Sequence, residues 1–356
     1  MRTSVVRALA LLLLTAGIPA GIDAQRPADP PKPYVDVYFI DTEGGQATLF
    51  ISPDGRSLLF DTGTRGSDGR DLNRIVAALK DARVEVLDYV VVTHYHGDHA
   101  GNAAELSAQF PIRNFIDHGP YSVELQPNRA AAFLAYLGVR DKAKARQAKP
   151  GEKISLGGLD MHVVSSAGEV ITKPLPGAGA SNSLCQSHVP RLQDATPENN
   201  ETVGAVFRYG NFTLLDLADL TWDQERDLVC PTNLLGTVDV YHTTGHGTDR
   251  SGNPVMVHAV RPRVAIMNNA AKKGGTTDTM RIVRSSPGLQ DFWQLHFSEL
   301  SAKDQNSPEQ FIANLEPGVH QGDYIKLTAR PDGSFTVTNH RNGFTKNYPA
   351  TTPPKS

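Results

Sequence analysis

Residues 89–99 read YVVVTHYHGDH, an apolar run that passes directly into three histidines and one aspartate. The unbroken apolar part predicts a β-strand covered on both faces, since half-exposed strands alternate apolar and polar residues. Side chains alternate along extended backbone and the glycine permits a tight turn, so the four polar groups can point in two directions. One metal ion has too little room for all four ligands, whereas two neighbouring ions have enough. The stretch therefore predicts a dinuclear metal centre at a strand end.

The sequence on either side of this stretch alternates strand and helix patterns. Three short strands at 35–40, 47–52 and 57–60 precede helix-like apolar spacing within 72–79. Further helices are predicted at 103–109, in a segment that ends at Gly138, and at 222–228, where Thr221 and Gln224 would form a capping box. Strands are predicted at 114–116, 238–242 and 263–268, and hairpins at 151–166, 203–217 and 324–338. The Lys-rich stretch 140–149 is expected to be solvated, and 172–200 is expected to be a long loop. No composition break divides Val35 from Tyr348, so we expect one α/β domain at 34–349.

Composition limits the classes of protein that need consideration. The 356 residues are 39% hydrophobic and 21% charged, which is typical of a globular chain and unlike a disordered or multi-span membrane protein. The formal charge of −3 argues against coating of nucleic acid by bulk charge. The chain contains twelve His and only two Cys, so metal binding here would depend on imidazole and carboxylate ligands.

The N-terminal residues resemble an export signal. Two arginines precede an apolar run from Ala8 to Ala16, and small residues lead to an expected cleavage after Ala24. We therefore expect a signal peptide at 1–24, a Pro-rich tail at 25–33 and a secreted or periplasmic location without a membrane anchor. In an oxidising compartment Cys185 and Cys230 could form a disulfide, and two separately buried thiols are the alternative.

The His-rich motif and its context resemble the metallo-β-lactamase fold superfamily. Asp61-Thr62-Gly63 precedes the motif, Asp219 follows a strand after it, and His246-Gly247 follows the next strand. The opening at 39–45 and Glu198-Asn199-Asn200 look most like the branch that includes the ComEC/Rec2 hydrolase domain and phosphorylcholine esterases. This resemblance implies an αββα sandwich of two mixed β-sheets flanked by helices.

The resemblance also implies a role for each motif residue. The first metal ion would take His94 and His96, the second Asp98, His99 and His246, and Asp219 would bridge both. Asp216 is the rival for the bridging role. Asp61 would orient a ligand histidine through its other ring nitrogen. The implied catalytic residues are Asp98, Asp219 and His246, around a metal-bound hydroxide.

Three features outside the ligand set bear on activity. Nearer relatives have His-His-Gly where this chain has Gly245-His246-Gly247, so a group that would hold transition-state charge is missing. His118 is a candidate substrate contact or auxiliary ligand, or else a hydrogen-bonded turn residue. Lys273, in the segment KKGGTT at 272–277, is a candidate anion-binding residue, with an ordinary turn before a helix as the alternative.

These observations predict a secreted hydrolase that depends on two divalent metal ions, zinc first, with manganese and iron as alternatives. A two-metal clamp suits an anionic substrate, so we expect phosphoester or phosphodiester cleavage on a small or polymeric substrate, with nucleic acid only as a substrate. A lactone or β-lactam hydrolase on the same site is one alternative, and a metal-bearing binding module is another. No protein partner is predicted.

Overall fold

The computed structural model describes residues 32–119, 127–191, 197–316 and 322–351. The expected signal peptide at 1–24 lies outside these residues, as does all of the Pro-rich tail except its last two residues. The strands are β1 (Val35–Phe39), β2 (Thr48–Ile51), β3 (Ser57–Phe60), β4 (Leu87–Val91), β5 (Ile112–Asp117), β6 (Lys144–Gln147), β7 (Lys153–Leu156), β8 (Leu159–Ser166), β9 (Glu169–Val170), β10 (Gly204–Tyr209), β11 (Phe212–Asp216), β12 (Val240–His242), β13 (Val264–Met267), β14 (Asp291–His296), β15 (Ile312–Asn314), β16 (Ile325–Ala329), β17 (Phe335–Asn339) and β18 (Thr345–Tyr348). The α-helices are α1 (Arg70–Asp81), α2 (Ala103–Gln109), α3 (Pro127–Arg140), α4 (Trp222–Asp227), α5 (Pro254–Val260) and α6 (Thr277–Arg284).

The strands form two mixed β-sheets. The first has the order β18-β17-β16-β1-β2-β3-β4-β5-β6, and the second has the order β15-β14-β13-β12-β11-β10-β8-β7, with β9 beside β8. Each sheet joins an antiparallel part to a parallel part, which runs from β3 to β6 in the first sheet and from β11 to β15 in the second.

The two sheets pack face to face over a shared apolar core, and helices cover their outer faces. Phe50 stacks on Phe207 of the other sheet with ring centroids 4.0 Å apart, a contact of the kind that contributes about 0.5–1.5 kcal/mol beyond area burial. In β4, Val91 faces this inner core, whereas Val90 faces the outer core under α1 and α2. The strand is thus covered on both faces, as its unbroken apolar run predicts, and the αββα sandwich is confirmed.

The parallel parts of the sheets position the polar residues. Asp61 follows β3, the motif that begins at His94 follows β4, and His118 follows β5. In the second sheet, Asp219 follows β11 and His246 follows β12. Because parallel strands end at the same edge, these side chains gather at one edge of the sandwich. Gln46 connects the sheets there, since its amide donates to both carboxylate oxygens of Asp216 at 3.1 Å.

The structure also corrects several local predictions. Helix α3 continues through Gly138 to Arg140, whose guanidinium bonds Asp117 at the end of β5. The stretch 140–149 is not only solvated surface, because it contains edge strand β6. The capping box of α4 is absent, since the Thr221 hydroxyl donates to the Asn200 side chain at 2.8 Å.

A disulfide joins Cys185 and Cys230, whose Cα atoms lie 5.7 Å apart. It ties the segment between β9 and β10 to the chain just after α4. The Trp222 indole donates to the Val189 carbonyl at 3.0 Å and adds a second attachment for the same segment. The structure therefore shows a disulfide between these cysteines and not two separately buried thiols. Among the described residues, no helix combines the length and the apolar character that crossing a bilayer requires.

Candidate metal centre

The first group of converging ligand atoms contains His94, His96 and Asp219, whose donor atoms all lie within 4.8 Å of one another. Nε2 of His94 lies 2.9 Å from Nδ1 of His96, and both rings are buried at the end of β4. Nε2 of His94 lies 4.0 Å from Oδ2 of Asp219. These two histidines, two residues apart in the motif, therefore bring their ring nitrogens together.

The second group contains Asp98, His99 and His246, again with donor atoms within 4.8 Å. Nε2 of His99 faces Nε2 of His246 at 3.3 Å. Oδ2 of Asp98 lies 3.9 Å from Nε2 of His99 and 3.6 Å from Nε2 of His246. The motif after β4 and the turn after β12 therefore meet across the two sheets.

Asp219 lies between the two groups and turns one oxygen toward each. Its Oδ1 is 3.1 Å from Nε2 of His246 and 3.5 Å from Nε2 of His99, whereas its Oδ2 faces His94. This is the arrangement that a bridging carboxylate needs. Asp216 belongs to neither group, because its oxygens hold Nδ1 of His242 at 2.8 Å and the amide of Gln46.

Asp61 fixes the ring of His99 from behind. Its Oδ2 bonds Nδ1 of His99 at 2.7 Å and leaves Nε2 to face the centre. The backbone N–H and the hydroxyl of Thr93 donate to the two oxygens of Asp61, each at 2.8 Å. A carboxylate on the outer ring nitrogen sets the tautomer and orientation of a ligand histidine, which is the role predicted for Asp61.

Burial and the neighbouring charges shift the pKa values of several of these side chains. Burial, together with His99 and His96, holds the pKa of His94 well below its usual value, so this imidazole is neutral. Burial also opposes charge on His99, but Asp219, Asp61 and Asp98 outweigh it and raise the pKa of His99. The pKa of Asp219 is far below its usual value, since His246 and His99 outweigh the effect of burial. Ionised carboxylates beside imidazole nitrogens are the donors that divalent transition metals take.

The turn that presents His246 has unusual backbone geometry. Gly245, His246 and Gly247 have φ angles of 60°, 56° and 75°, a left-handed run that is costly for the histidine. A Cβ built on Gly245 would lie 2.8 Å from Oγ of Ser251. A histidine at position 245 would therefore need Ser251 to move, and Ser251 is held in place by a hydrogen bond from its hydroxyl to the Leu220 carbonyl at 2.7 Å.

A polar cavity of about 210 Å³ opens at the two ligand groups. The lining residues are His96, Gly97, Asp98, Asn199, Asp219, Gly245, His246, Thr248, Arg250, Ser251 and Lys273. Lys273 bonds the Asp98 carboxylate with its Nζ, so the predicted anion-binding lysine lies at the centre itself. Its neighbour Lys272 is exposed and pairs with Glu299 at 3.7 Å.

His118 is brought close to the motif but joins neither group. Its Nε2 bonds Oε1 of Glu198 at 2.9 Å, and its ring lies against that of Tyr95 with centroids 4.2 Å apart. The structure therefore shows a hydrogen-bonded residue behind the cavity, as in the turn-residue interpretation.

Sequence reasoning missed two groups of supporting residues. Asn268, just after β13, places its amide 3.1 Å from Nδ1 of His246 and 3.3 Å from Oε1 of Gln46. A third cluster, of Asp41, Glu43 and His296, also has converging ligand atoms. The guanidinium of Arg74 bonds Asp41 at 2.7 Å there, so a fixed cation already stands beside these carboxylates. A single amide residue such as Asn268 forms no recognisable sequence motif. Its position just after a predicted strand is the signal that could have indicated it.

Part of the chain matches a known family and several known proteins. The family model described as metallo-beta-lactamase superfamily matches residues 41–179, which include the motif after β4. A UPF0173 metal-dependent hydrolase of Staphylococcus carnosus is 35% identical over 63 residues, 18% of this chain and 24% of that protein. A hydroxyacylglutathione hydrolase of Rhodopseudomonas palustris is 28% identical over 108 residues, 30% of this chain and 35% of that protein.

The chain thus spans about a quarter to a third of the length of these curated relatives. Among solved structures, the metallo-beta-lactamase fold protein YhfI of Bacillus subtilis is similar with a TM-score of 0.46 and 13% identity, over 82% of this chain and 99% of that one. Residues 41–179 thus resemble the metallo-beta-lactamase superfamily, and the two mixed sheets form the sandwich that this resemblance implies.

Proposed function

We propose that this chain is an exported hydrolase that uses two divalent metal ions to cleave phosphoester or phosphodiester bonds. The observation that carries the proposal is Asp219, which turns Oδ1 toward His99 and His246 and Oδ2 toward His94. One carboxylate between two sets of imidazole ligands is the donor arrangement for two adjacent cations. Zinc is the first candidate, with manganese and iron as alternatives, because imidazole and carboxylate accept all three.

The bound ions would supply two kinds of chemistry, a water molecule with a pKa lowered toward neutrality and neutralisation of developing negative charge. The chain provides the rest. Asp61 holds His99 in one tautomer, Asn268 contacts the outer nitrogen of His246, and the rings of His94, His99 and His246 are buried. Because these side chains are already held in position, they do not have to reorient during the reaction, and no free energy is spent on such a change.

The cavity supports an anionic substrate. Lys273 and Arg250 line it beside the ligands and bring fixed positive charge to a small space. Its volume of about 210 Å³ is below the ~300–1,000 Å³ of typical ligand pockets, so it fits a phosphoryl group with the remainder of the substrate outside. The resemblance of the motifs to the ComEC/Rec2 and phosphorylcholine-esterase branch favours the same substrate class.

The other reaction classes are outcomes of the same test. A lactone, a β-lactam or the thioester suggested by the hydroxyacylglutathione hydrolase relative would present a carbonyl to the same site. Purified protein, loaded separately with zinc, manganese and iron, should cleave bis(p-nitrophenyl) phosphate and leave a chromogenic β-lactam and a homoserine lactone intact. Cleavage of one of the carbonyl substrates alone would refute the phosphoester proposal. Metal-loaded protein that cleaves nothing would favour the binding module.

Metal analysis tests the ligands independently of turnover. Asp219→Ala removes the shared carboxylate and should reduce the bound metal below two ions per chain. His246→Ala should deplete the second group while the first retains its ligands. The exposed His340→Ala is a matched control that should keep the full metal content. Unchanged stoichiometry in Asp219→Ala and His246→Ala would show that the ligand assignment is wrong.

Export is the remaining part of the proposal. It is supported by the signal-like residues 1–24 and by the Cys185–Cys230 bridge, since disulfides persist mainly in oxidising compartments. Mass spectrometry of the protein recovered from outside the cytoplasm should find an N-terminus at Gln25. Recovery of the intact chain from the cytoplasm with both thiols free would contradict it.

A further inference from the structure

The turn Pro197–Glu201 contributes Asn199 to the cavity lining and is held on one side of that residue by Glu198. Oε1 of Glu198 accepts the backbone N–H of Tyr95 at 2.7 Å and bonds Nε2 of His118 at 2.9 Å. Tyr95 lies between His94 and His96 in the motif. The turn is therefore attached directly to the segment that carries two of the candidate ligands.

The other end of the turn is held by Asn200. Its Oδ1 accepts the hydroxyl of Thr221 at 2.8 Å, and its backbone carbonyl accepts the amide of Gln224 at 2.9 Å. The hydroxyl that the sequence assigned to a capping box is used for this contact. The residues on both sides of Asn199 are thus fixed by buried or partly buried hydrogen bonds.

Asn199 itself points to the cavity. The residue is 4% exposed and lines the cavity together with Lys273 and Asp219. Within the described residues, its buried Oδ1 has no hydrogen-bond partner. A buried polar group without a partner destabilises the fold, so its presence in a tightly held turn calls for a ligand that pairs with it.

Asn199 supplies the carboxamide of the cavity lining, where the other neutral side-chain donors, apart from the candidate ligands, are the hydroxyls of Thr248 and Ser251. The Nζ of Lys273 is bonded to Asp98, and Gly245 has no side chain. A carboxamide that no hydrogen bond fixes at Oδ1 can turn over and present its NH₂ group without a change of shape. Asn199 can therefore donate to an oxygen of a group bound at the ligands.

We propose that Asn199 is a substrate-binding residue whose carboxamide N–H donates to a non-bridging oxygen of the substrate's phosphoryl group. Glu198 and Asn200 are its positioning residues. The inference rests on the proposed function, because it assumes a phosphoryl substrate at the ligand groups. A charged oxygen beside a neutral donor gains a charge-assisted hydrogen bond, which is stronger than one between neutral partners.

Calorimetric titration of the zinc-loaded protein with inorganic phosphate tests the proposal without turnover. Asn199→Ala should bind phosphate about 10-fold more weakly or worse, since a hydrogen bond to a charged group is lost. Asn199→Asp has the same size but can only accept, and it should bind phosphate at least as weakly. The exposed Asn73 provides matched controls, as Asn73→Ala and Asn73→Asp should bind phosphate like the unmodified protein.

Metal content and melting temperature are measured on each variant, so that loss of zinc or of folding is not mistaken for loss of a contact. Phosphate affinity unchanged in Asn199→Ala, or equal to that of the unmodified protein in Asn199→Asp, overturns the inference. So does an unmodified zinc-loaded protein that binds no phosphate. The proposed function fails by a different result, namely phosphate binding in the unmodified protein without cleavage of any phosphoester.

Discussion

Replacement of Glu225 by glutamine should stabilise the protein, and more so at alkaline pH. Glu225 lies on α4 behind the turn of His246, fully buried, and accepts the backbone N–H of Asn253 at 2.8 Å. Burial raises the pKa of its carboxyl from 4.5 to about 7, and the hydrogen bonds that it accepts offset this only in part. The folded protein therefore buries a negative charge at alkaline pH.

The sign and the size of the effect follow from proton binding. The unfolded chain loses this proton near pH 4.5 and the folded protein near pH 7, so the folded state binds more protons between these values. Stability then falls as the pH rises through this window. With about 1.36 kcal/mol for each tenfold change in proton affinity, the cost is about 1 kcal/mol at pH 5 and about 3 kcal/mol at pH 8. Glutamine keeps the shape and carries no charge, which removes this cost.

Urea unfolding at pH 5 and pH 8 measures the free energy of unfolding of both proteins. Glu225→Gln should gain about 2 kcal/mol more at pH 8 than at pH 5. The exposed Glu169→Gln is the control, and its stability should stay within about 0.5 kcal/mol of the unmodified protein at both values. An equal change at the two pH values, or a loss at pH 8, would refute the reasoning.

Three further changes probe the centre and its frame. Asp61→Asn should weaken zinc binding about 10- to 100-fold, because His99 loses its orienting carboxylate. Competition with a chromogenic chelator measures the zinc affinity, and an unchanged affinity would contradict the orienting role of Asp61. Lys273→Ala should raise KM for a phosphodiester about 10-fold or more. Lys272→Ala, which alters an exposed neighbour, should leave KM unchanged, and equal effects would refute the distinction. Cys185→Ser should cost up to about 4 kcal/mol of unfolding free energy, as expected for closure of a loop of 45 residues, and an unaltered urea midpoint would contradict this.

Much of the fold follows from local pattern. The unbroken apolar run of β4 predicts burial on both faces, and Val91 and Val90 do face different cores. Strand ends carry the polar motifs, so the parallel parts of the sheets bring them to one edge. The gathering of the six predicted ligands follows from this, while their binding of metal ions stays a prediction.

What the sequence left open depends on distances between remote segments. Whether Cys185 meets Cys230 is set by the path of a long loop, and no spacing encodes it. Thr221 has the correct spacing for a capping box, but Asn200 competes for its hydroxyl from a distant turn. Asn199 carries no signal of its own, because its role appears only once Glu198 and Asn200 are seen to hold it.

The strand order of the first sheet has a consequence for the timing of assembly. Strand β1 lies between β2 and β16, with Val35 opposite Ala329, so the edge beside the earliest strand is closed by the latest hairpin. A chain that emerges from its N-terminus can build the His94 motif early but must leave this edge open until β16 has emerged. An open edge is a template for pairing with other chains. The edge of β1 is thus available for pairing with other chains until β16 docks on it, after which β18 is the edge strand on that side of the sheet.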